Sequence, residues 1–505
     1  MTKSKLTVWC DTLLELSWLL SLILAPLFFN IHSDRVFEPD KITLIRSLAV
    51  FMVAVWLIKF IDSEQWRDWS WLNWKSEKAI WRVPFVLPVV ALAIVYLVST
   101  IFSVTPTVSW AGSYQRLQGT YTTLSYLVIF GIVAVTMRTE AQWRRAITLA
   151  IIVSIPVALY GMLQRFGLDP LPWGGDVETR IAGHMGNAIF IAAYLIMVAP
   201  LTLARIISSF KNILSDEVLD AADIIRSSIY IFAFAIQLMA IYFSGSRGPL
   251  LGLLLGVFVL VTILLVSLRN TAVDGKGYSA RDLVLSTFGL VIGVVALIAA
   301  ILLRPIVGDF ASFAIFMALL ALAGLTIFVL IALQKGWKWL WLSWMLTAVF
   351  VGLWIIAFNT LSTPEMAGNP ATDTLSAWRQ LPGIGRFGRL LEADSSTGKV
   401  RVLIWEGAVD LITPHDPIAF PDGSTDSVNF LRPLIGYGPE SMYVAYNSFY
   451  PPELATVEAR NASPDRSHNE TFDAFVITGL LGFAIWQWLY LSVFYYAFKW
   501  LGVVA

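Results

Sequence analysis

The chain has 505 residues, of which 57% are hydrophobic and only 14% charged. Soluble domains carry about 25% charged residues, so the composition excludes a soluble multidomain enzyme and points to an all-α polytopic membrane protein. The 35 Lys and Arg residues balance the 35 Asp and Glu residues, giving no basic surface for a nucleic-acid partner. Cys10, the one cysteine, leaves no internal disulfide, cysteine zinc cluster or iron–sulfur centre.

In chain order, about twelve segments hold the apolar residues needed to cross a bilayer. They are 13–30, 42–61, 83–104, 119–137, 145–163, 188–207, 227–243, 249–268, 283–303, 309–333, 338–357 and 474–498. The first has no small-residue cleavage site after it and reads as a membrane span, not a secretory signal. Pro84 and Pro88 in the first turns of the third suggest a tilted helix. Only Ser244-Gly245-Ser246-Arg247-Gly248 separates the seventh and eighth, so a tight helical hairpin is expected. Trp66 to Trp81, including Trp69, Trp71 and Trp74, reads as an interfacial helix on the cytoplasmic face. Trp337, Trp339, Trp341 and Trp344 read as interface anchors.

Lys and Arg set the orientation. With the N-terminus inside, the inner segments carry Lys59 to Arg82, Arg138 to Arg145 and Arg205 to Arg226. The short outer loops hold scattered single cations such as Arg35, Lys41, Arg116, Arg165, Arg180, Arg247 and Arg304. The expected organisation is a membrane domain over 1–357, an extracytoplasmic loop over 358–473, and a last span with a short cytoplasmic tail over 474–505. Within the loop, Lys399 to Thr413 predicts an amphipathic helix with Val402, Trp405, Val409 and Ile412 on one face, stopped by Pro414. Asp416 to Pro452 reads as ordered but irregular.

The four histidines, His32, His184, His415 and His468, all map to the outer side. None pair at zinc-hydrolase spacing, and no Gly-rich phosphate loop is present, so neither a metal site nor a cofactor is read from the sequence. A site here would face outward and depend on Arg, His and carboxylates. Two readings of Arg247 stand: a snorkelling cation, or a ligand for phosphate oxygens. Arg180 precedes the Gly-rich segment Ile181 to Asn187 and suits a phosphate contact at a helix N-terminus. His468, between Arg466 and Asn469-Glu470, is either a proton acceptor or an ordinary polar loop residue. Arg401 by itself reads as a solvated face of the loop helix.

An ordered set of short motifs runs along nearly the whole chain. It comprises Pro26-Leu27-Phe28-Phe29, Phe37-Glu38-Pro39-Asp40-Lys41, Tyr160-Gly161-Met162-Leu163-Gln164 and Arg180 through Asn187. It continues with Phe243-Ser244-Gly245-Ser246-Arg247-Gly248, Arg401-Val402-Leu403-Ile404-Trp405, Pro433-Leu434-Ile435-Gly436-Tyr437-Gly438-Pro439, His468-Asn469 and Gly479-Leu480-Leu481-Gly482. Together they resemble the O-antigen ligase and O-antigen polymerase superfamily of membrane glycosyltransferases.

The resemblance implies a GT-C-like fold in the bacterial cytoplasmic (inner) membrane, surrounded by membrane lipids, with its active site on the periplasmic side. It implies an undecaprenyl-pyrophosphate-linked glycan donor, a glycan, lipid or protein acceptor, and no nucleotide or metal. By the same resemblance His468, Arg247 and Arg401 are catalytic. Arg180, His184, Asn187, Lys41, Arg466, Asn469, Glu470 and Gly438 bind substrate. His468 would take the acceptor proton, its ring held by Asn469 or Glu470, while arginines meet the charge developing on the leaving pyrophosphate in an inverting transfer. The chain departs from the pattern in a longer stretch from Pro414 to Arg432, where Asp416, Asp422 and Asp426 suggest an unusual acceptor site. Ligase and polymerase activities both stay open. The rival class is a secondary transporter or lipid-linked glycan flippase, which predicts ionisable residues inside the spans. The spans are nearly uncharged, with Arg46 a partial exception.

Overall fold

The computed structural model describes all residues except 1–3, 69, 71, 74, 77–78, 172, 174, 216–220, 268–279, 336–339, 367, 386, 392–395, 459–461, 503 and 505. Its backbone packs as two units, residues 1–245 with 394–505, and residues 246–393. The first unit begins with α1 (Lys5–Leu27), α2 (Pro39–Asp62), α3 (Val86–Ile101), α4 (Pro106–Ala111) and α5 (Thr120–Thr136). It continues with α6 (Glu140–Arg165), α7 (Ala188–Ser215) and α8 (Ala221–Phe243). The second holds α9 (Arg247–Ser267), α10 (Ala280–Val307), α11 (Asp309–Lys335), α12 (Leu340–Leu361) and α13 (Pro370–Gln380). The chain then returns to the first unit with α14 (Ser396–Ile412), three single turns, α15 (Arg432–Ile435), α16 (Met442–Ala445) and α17 (Leu454–Val457), and the last helix, α18 (Glu470–Trp500).

Among the described residues, nine helices are long and apolar enough to cross a membrane, and no strand forms. This is a helical multi-pass membrane protein. Three further segments expected as spans fall on shorter apolar helices, Val86–Ile101, Thr120–Thr136 and Val291–Val307. The expected hairpin lies where the two packing units divide: α8 ends at Phe243 in one unit and α9 begins at Arg247 in the other.

Two local expectations need correction. Among its described residues Trp66 to Trp81 holds 3-10 turns at Gln65–Arg67, at Ser70 and at Ile80–Arg82, and no α-helix. Asp68 and Asn73 accept hydrogen bonds from the backbone N–H groups of Ser70 and Lys75 (2.9 and 3.1 Å), local turns that compete with a helix. Trp69, Trp71 and Trp74, like Trp337 and Trp339, lie outside the described residues. In the loop helix α14, Val402 and Val409 are exposed, and the buried ridge is Leu403, Ile404, Ala408 and Leu411. That ridge packs into a core with Tyr437, Met442, Ala445, Tyr446, Leu454 and Val476. Hydrophobic spacing placed the helix but not its rotation, because the irregular segment it packs against has no period of its own.

The last helix is broken at Gly479, whose φ of 64° falls in the left-handed region. The break turns two carbonyls outward: Val476 O accepts from Tyr437 N (2.7 Å) and Ile477 O from Gly438 N (3.0 Å). A Cβ on Gly479 would lie 2.3 Å from the Leu434 carbonyl carbon, so only glycine lets the two backbones approach this closely. Gly479→Ala therefore combines a left-handed penalty of about 1–2 kcal/mol with a backbone overlap. We expect a lowered detergent melting temperature and loss of the loop core. Gly352→Ala, in the open interior of α12, should leave the melting temperature unchanged or raise it.

Candidate functional site

The motif-bearing connections of the first unit meet at one end of its helices. The α6–α7 connection is organised by Gln164, fully buried near the end of α6, whose Oε1 accepts from Ala182 N (3.0 Å) and Gly183 N (2.8 Å). Its amide donates to Asp169 (3.3 Å), which also accepts from Tyr160 OH (2.8 Å) and Trp173 Nε1 (2.6 Å). Burial alone would raise the Asp169 pKa, but these bonds and one from Leu171 N outweigh it and hold the carboxyl below its usual range. Gly186 carries a φ of 66°, and a Cβ there would overlap the Phe37 ring. The glycine content of 183–187 thus serves ring packing as well as the turn.

Lys41 Nζ, from the first turn of α2, donates to the His184 carbonyl (3.3 Å). The His184 ring sits against Tyr160 and Phe29, with centroids at 4.5 and 5.5 Å, and its Nδ1 is buried with no protein partner. Burial first, then the Lys41 cation, push the imidazole pKa down to about 4. At neutral pH this ring is uncharged. Asn187 accepts from Ile189 N (2.8 Å) and so caps α7. Arg180 is exposed, and its Nε donates to Ser244 O (3.3 Å) beyond the end of α8, where the helix dipole favours a cation.

A second cluster surrounds the turn between α4 and α5. Arg116 pairs with Asp465 (2.5 Å) and reaches Glu38 at 4.0 Å, while Arg466 donates to Gln118. Glu38 is shifted upward by burial, with Arg116 and Arg466 opposing and Asp465 and Glu440 reinforcing, so these five groups act as one electrostatic set. The turn is held from both sides. Glu440, buried and with a φ of 52°, accepts from Ser113 N and from Gln118 N (2.8 Å). Arg46, buried in α2, donates to Thr122 (2.7 Å) and to the carbonyls of Ala111 and Leu117 (both 2.6 Å), with its guanidinium 4.7 Å from the Tyr121 ring centroid. The one notable charge inside the predicted spans is thus a structural pin.

Three cavities line this end of the unit. The largest, about 770 Å³, is walled by Phe37, Glu38, Arg116, Trp173 and Asn187 among others. One of about 430 Å³ shares Phe37, Trp173 and Asn187 and adds Arg180. One of about 520 Å³ shares Gln115 and Arg116 and adds Glu440, Tyr443, Asp465 and Arg466. Shared wall residues set the three side by side, with Arg35, Arg116, Arg180 and Arg466 and the carboxylates of Asp34, Glu38, Asp176, Glu440 and Asp465 among their linings.

The structure therefore brings Arg180, His184, Asn187, Lys41 and Arg466 to one end of the first unit. His468 is exposed on the turn before α18, with a left-handed φ of 55°. Its neighbours are pinned: Ser467 bonds to Asp473 (2.7 Å), and Asn469 caps α18 by accepting from Thr471 N (3.0 Å). Among the described residues, no hydrogen bond joins the His468 ring to Asn469 or Glu470, and Glu470 is exposed at the helix start. Trp405 Nε1 donates to Ser467 O (2.9 Å). Arg401 lies one turn before Trp405 on the same face of α14 and is exposed. Arg401 and His468 line none of the three cavities. Gly438 is buried: a Cβ there would strike Ser103 Oγ at 2.3 Å, so this glycine serves close packing. Arg247 belongs to the second unit, where it donates to Arg389 O (2.6 Å). Asp426, expected near an acceptor, is consumed in a buried double hydrogen bond with Arg432 (2.7 and 2.8 Å).

Comparison of the chain with protein-family models, curated proteins and solved structures found no match. Sequence reasoning missed Arg116, Glu38, Asp169, Gln164 and Glu440 as site-forming residues. Glu38 and Gln164 stood inside quoted motifs, whereas Glu440 had no local signal, since its partners lie more than 300 residues away.

The depressed His184 pKa carries a sign for stability. The unfolded imidazole, with its ordinary value of 6.5, takes a proton that the folded ring resists until about pH 4. Its contribution is therefore full above pH 6.5 and is lost as pH falls toward 4, on the order of 3 kcal/mol in all. Melting temperatures measured from pH 4 to 8 should show His184→Phe losing part of the wild-type acid sensitivity. An identical pH slope in both proteins would contradict this.

Proposed function

We propose that this protein is a glycosyltransferase of the membrane. It moves a glycan from an undecaprenyl-pyrophosphate carrier to an acceptor at the outer face of the bacterial cytoplasmic membrane, as the O-antigen ligase resemblance implies. The observation that supports it best is the row of three neighbouring cavities at one end of the apolar helices of the first unit, bearing Arg116, Arg180 and Arg466. Guanidinium groups match phosphate oxygens bidentately. An apolar body beneath them suits a polyprenyl tail lying in the bilayer.

In this reading the acceptor hydroxyl attacks the anomeric carbon from the face opposite the pyrophosphate. The C–O bond to the carrier breaks, its electron pair leaves with the pyrophosphate, and the arginines stabilise the charge that develops there. The acceptor proton passes to His468, whose exposed ring is held out by the pinned Ser467 and Asn469 on either side. His184 is unsuited to that role because its buried ring resists protonation. The resemblance adds Arg247 and Arg401 to the cations whose loss is informative. Ligase chemistry is the reading carried forward, with polymerisation of a lipid-linked glycan as the same reaction on another acceptor.

The test is release of free undecaprenyl pyrophosphate by the protein in lipid nanodiscs, given a glycan-bearing carrier and acceptor. Release should require acceptor, persist in EDTA, and fall about 100-fold or more in His468→Ala. Arg180→Ala, Arg466→Ala, Arg247→Ala and Arg401→Ala should each lower it about 10-fold or more. A product ladder would identify a polymerase and a single addition a ligase. Near-normal release in all five variants would refute the proposed chemistry, and binding of carrier without release would point to transport.

A further inference from the structure

The largest cavity has features that phosphate recognition leaves unexplained. Phe37 and Trp173 stand side by side in its wall, with centroids 5.1 Å apart and planes 34° apart. Phe29 backs both, at 5.9 and 6.0 Å. Both rings are fixed before any ligand arrives: Phe37 rests on Gly186, and Trp173 is tied to Asp169 through its indole N–H. Around them stand Gln115, Asn187, Asp34, Arg35, Glu38 and Arg116. Its lining holds two carboxylates and two guanidinium groups, so the wall carries no net charge.

A lipid tail in this cavity would leave that polar rim unpaired, and a phosphate would meet two carboxylates. A pyranose ring meets both demands, since its C–H face lies on an aromatic surface while its hydroxyls donate to and accept from planar side chains. The volume of about 770 Å³ lies within the ~300–1,000 Å³ of ordinary ligand pockets. We propose that the cavity walled by Phe37 and Trp173 holds an uncharged sugar of the glycan substrate, stacked on these rings and hydrogen-bonded through Gln115, Asn187 and Glu38. This rests on the glycosyltransferase reading for the identity of the substrate, not for the existence of the sugar site.

The test uses the full chain in nanodiscs and two probes. One is the soluble glycan freed by mild acid from the lipid carrier of the cells that natively make the protein. The other is undecaprenyl pyrophosphate bearing no sugar. Saturation-transfer NMR should show the glycan bound to wild type through an uncharged residue. Trp173→Ala should weaken it roughly 5- to 10-fold and Gln115→Ala, an exposed position, by roughly 5-fold. Binding of the bare carrier should change less than about twofold in either variant. Glycan binding that is absent in wild type, unchanged in both variants, or strongest through an acidic sugar would overturn the proposal. Equal loss of both probes in Gln115→Ala would also overturn it. Glycan binding that follows these residues without any transfer activity would leave the sugar site standing and refute the glycosyltransferase reading.

Discussion

The break in α18 at Gly479 is the constraint on which the rest of the first unit's functional end depends. An unbroken helix would spend the carbonyls of Val476 and Ile477 on its own turns. Released by the break, they pair with Tyr437 and Gly438 and fix the path of the chain into Glu440. The Glu440 carboxylate then grips both ends of the Ser113–Gln118 turn, which presents Arg116 to two cavities at once. From below, Arg46 holds the same turn through the last carbonyl of α4. A buried cation and a buried anion on opposite sides of one turn satisfy its backbone groups, and each is offset by hydrogen bonds at its own position.

The cavities gather cations without leaving them all bare. Arg116 meets Asp465 and Glu38, and Arg180 packs beyond the C-terminal end of α8. The pairings orient guanidinium groups that still have donors to offer, because each carries five N–H bonds. The neutral imidazole of His184 belongs to the scaffold of this region, wedged between rings and capped by Lys41 on its carbonyl. His468, by contrast, is exposed on its turn.

The helical, membrane-spanning character was legible because apolar runs of span length have few other meanings. The location of most boundaries followed for the same reason. The rotation of α14 was not legible, since Val402 and Val409 are as apolar as the residues that became buried, and the deciding partner, Tyr446, lies in a segment without periodicity. The Trp66–Trp81 stretch misled because its Asp and Asn side chains form local turns that aromatic content does not reveal. At the cavities, Lys41, Arg180, His184 and Asn187 stood in the quoted motifs, and Arg466 beside one of them. It could not distinguish Asn187 and Asn469 as helix caps, or Gly438 as a close-packed backbone contact. Glu440 and Arg116 are joined only by tertiary structure, and a single sequence holds no trace of a contact spanning more than 300 residues.

We propose that the cavities of the first unit bearing Arg116, Arg180 and Arg466 receive a pyrophosphate-linked glycan. Electron cryo-microscopy of the protein in nanodiscs with that carrier tests it directly. Pyrophosphate density is expected against Arg180 or against Arg116 and Arg466, with the first sugar on the Trp173 and Phe37 rings. Carrier density elsewhere on the protein, with these cavities holding only water, would contradict it.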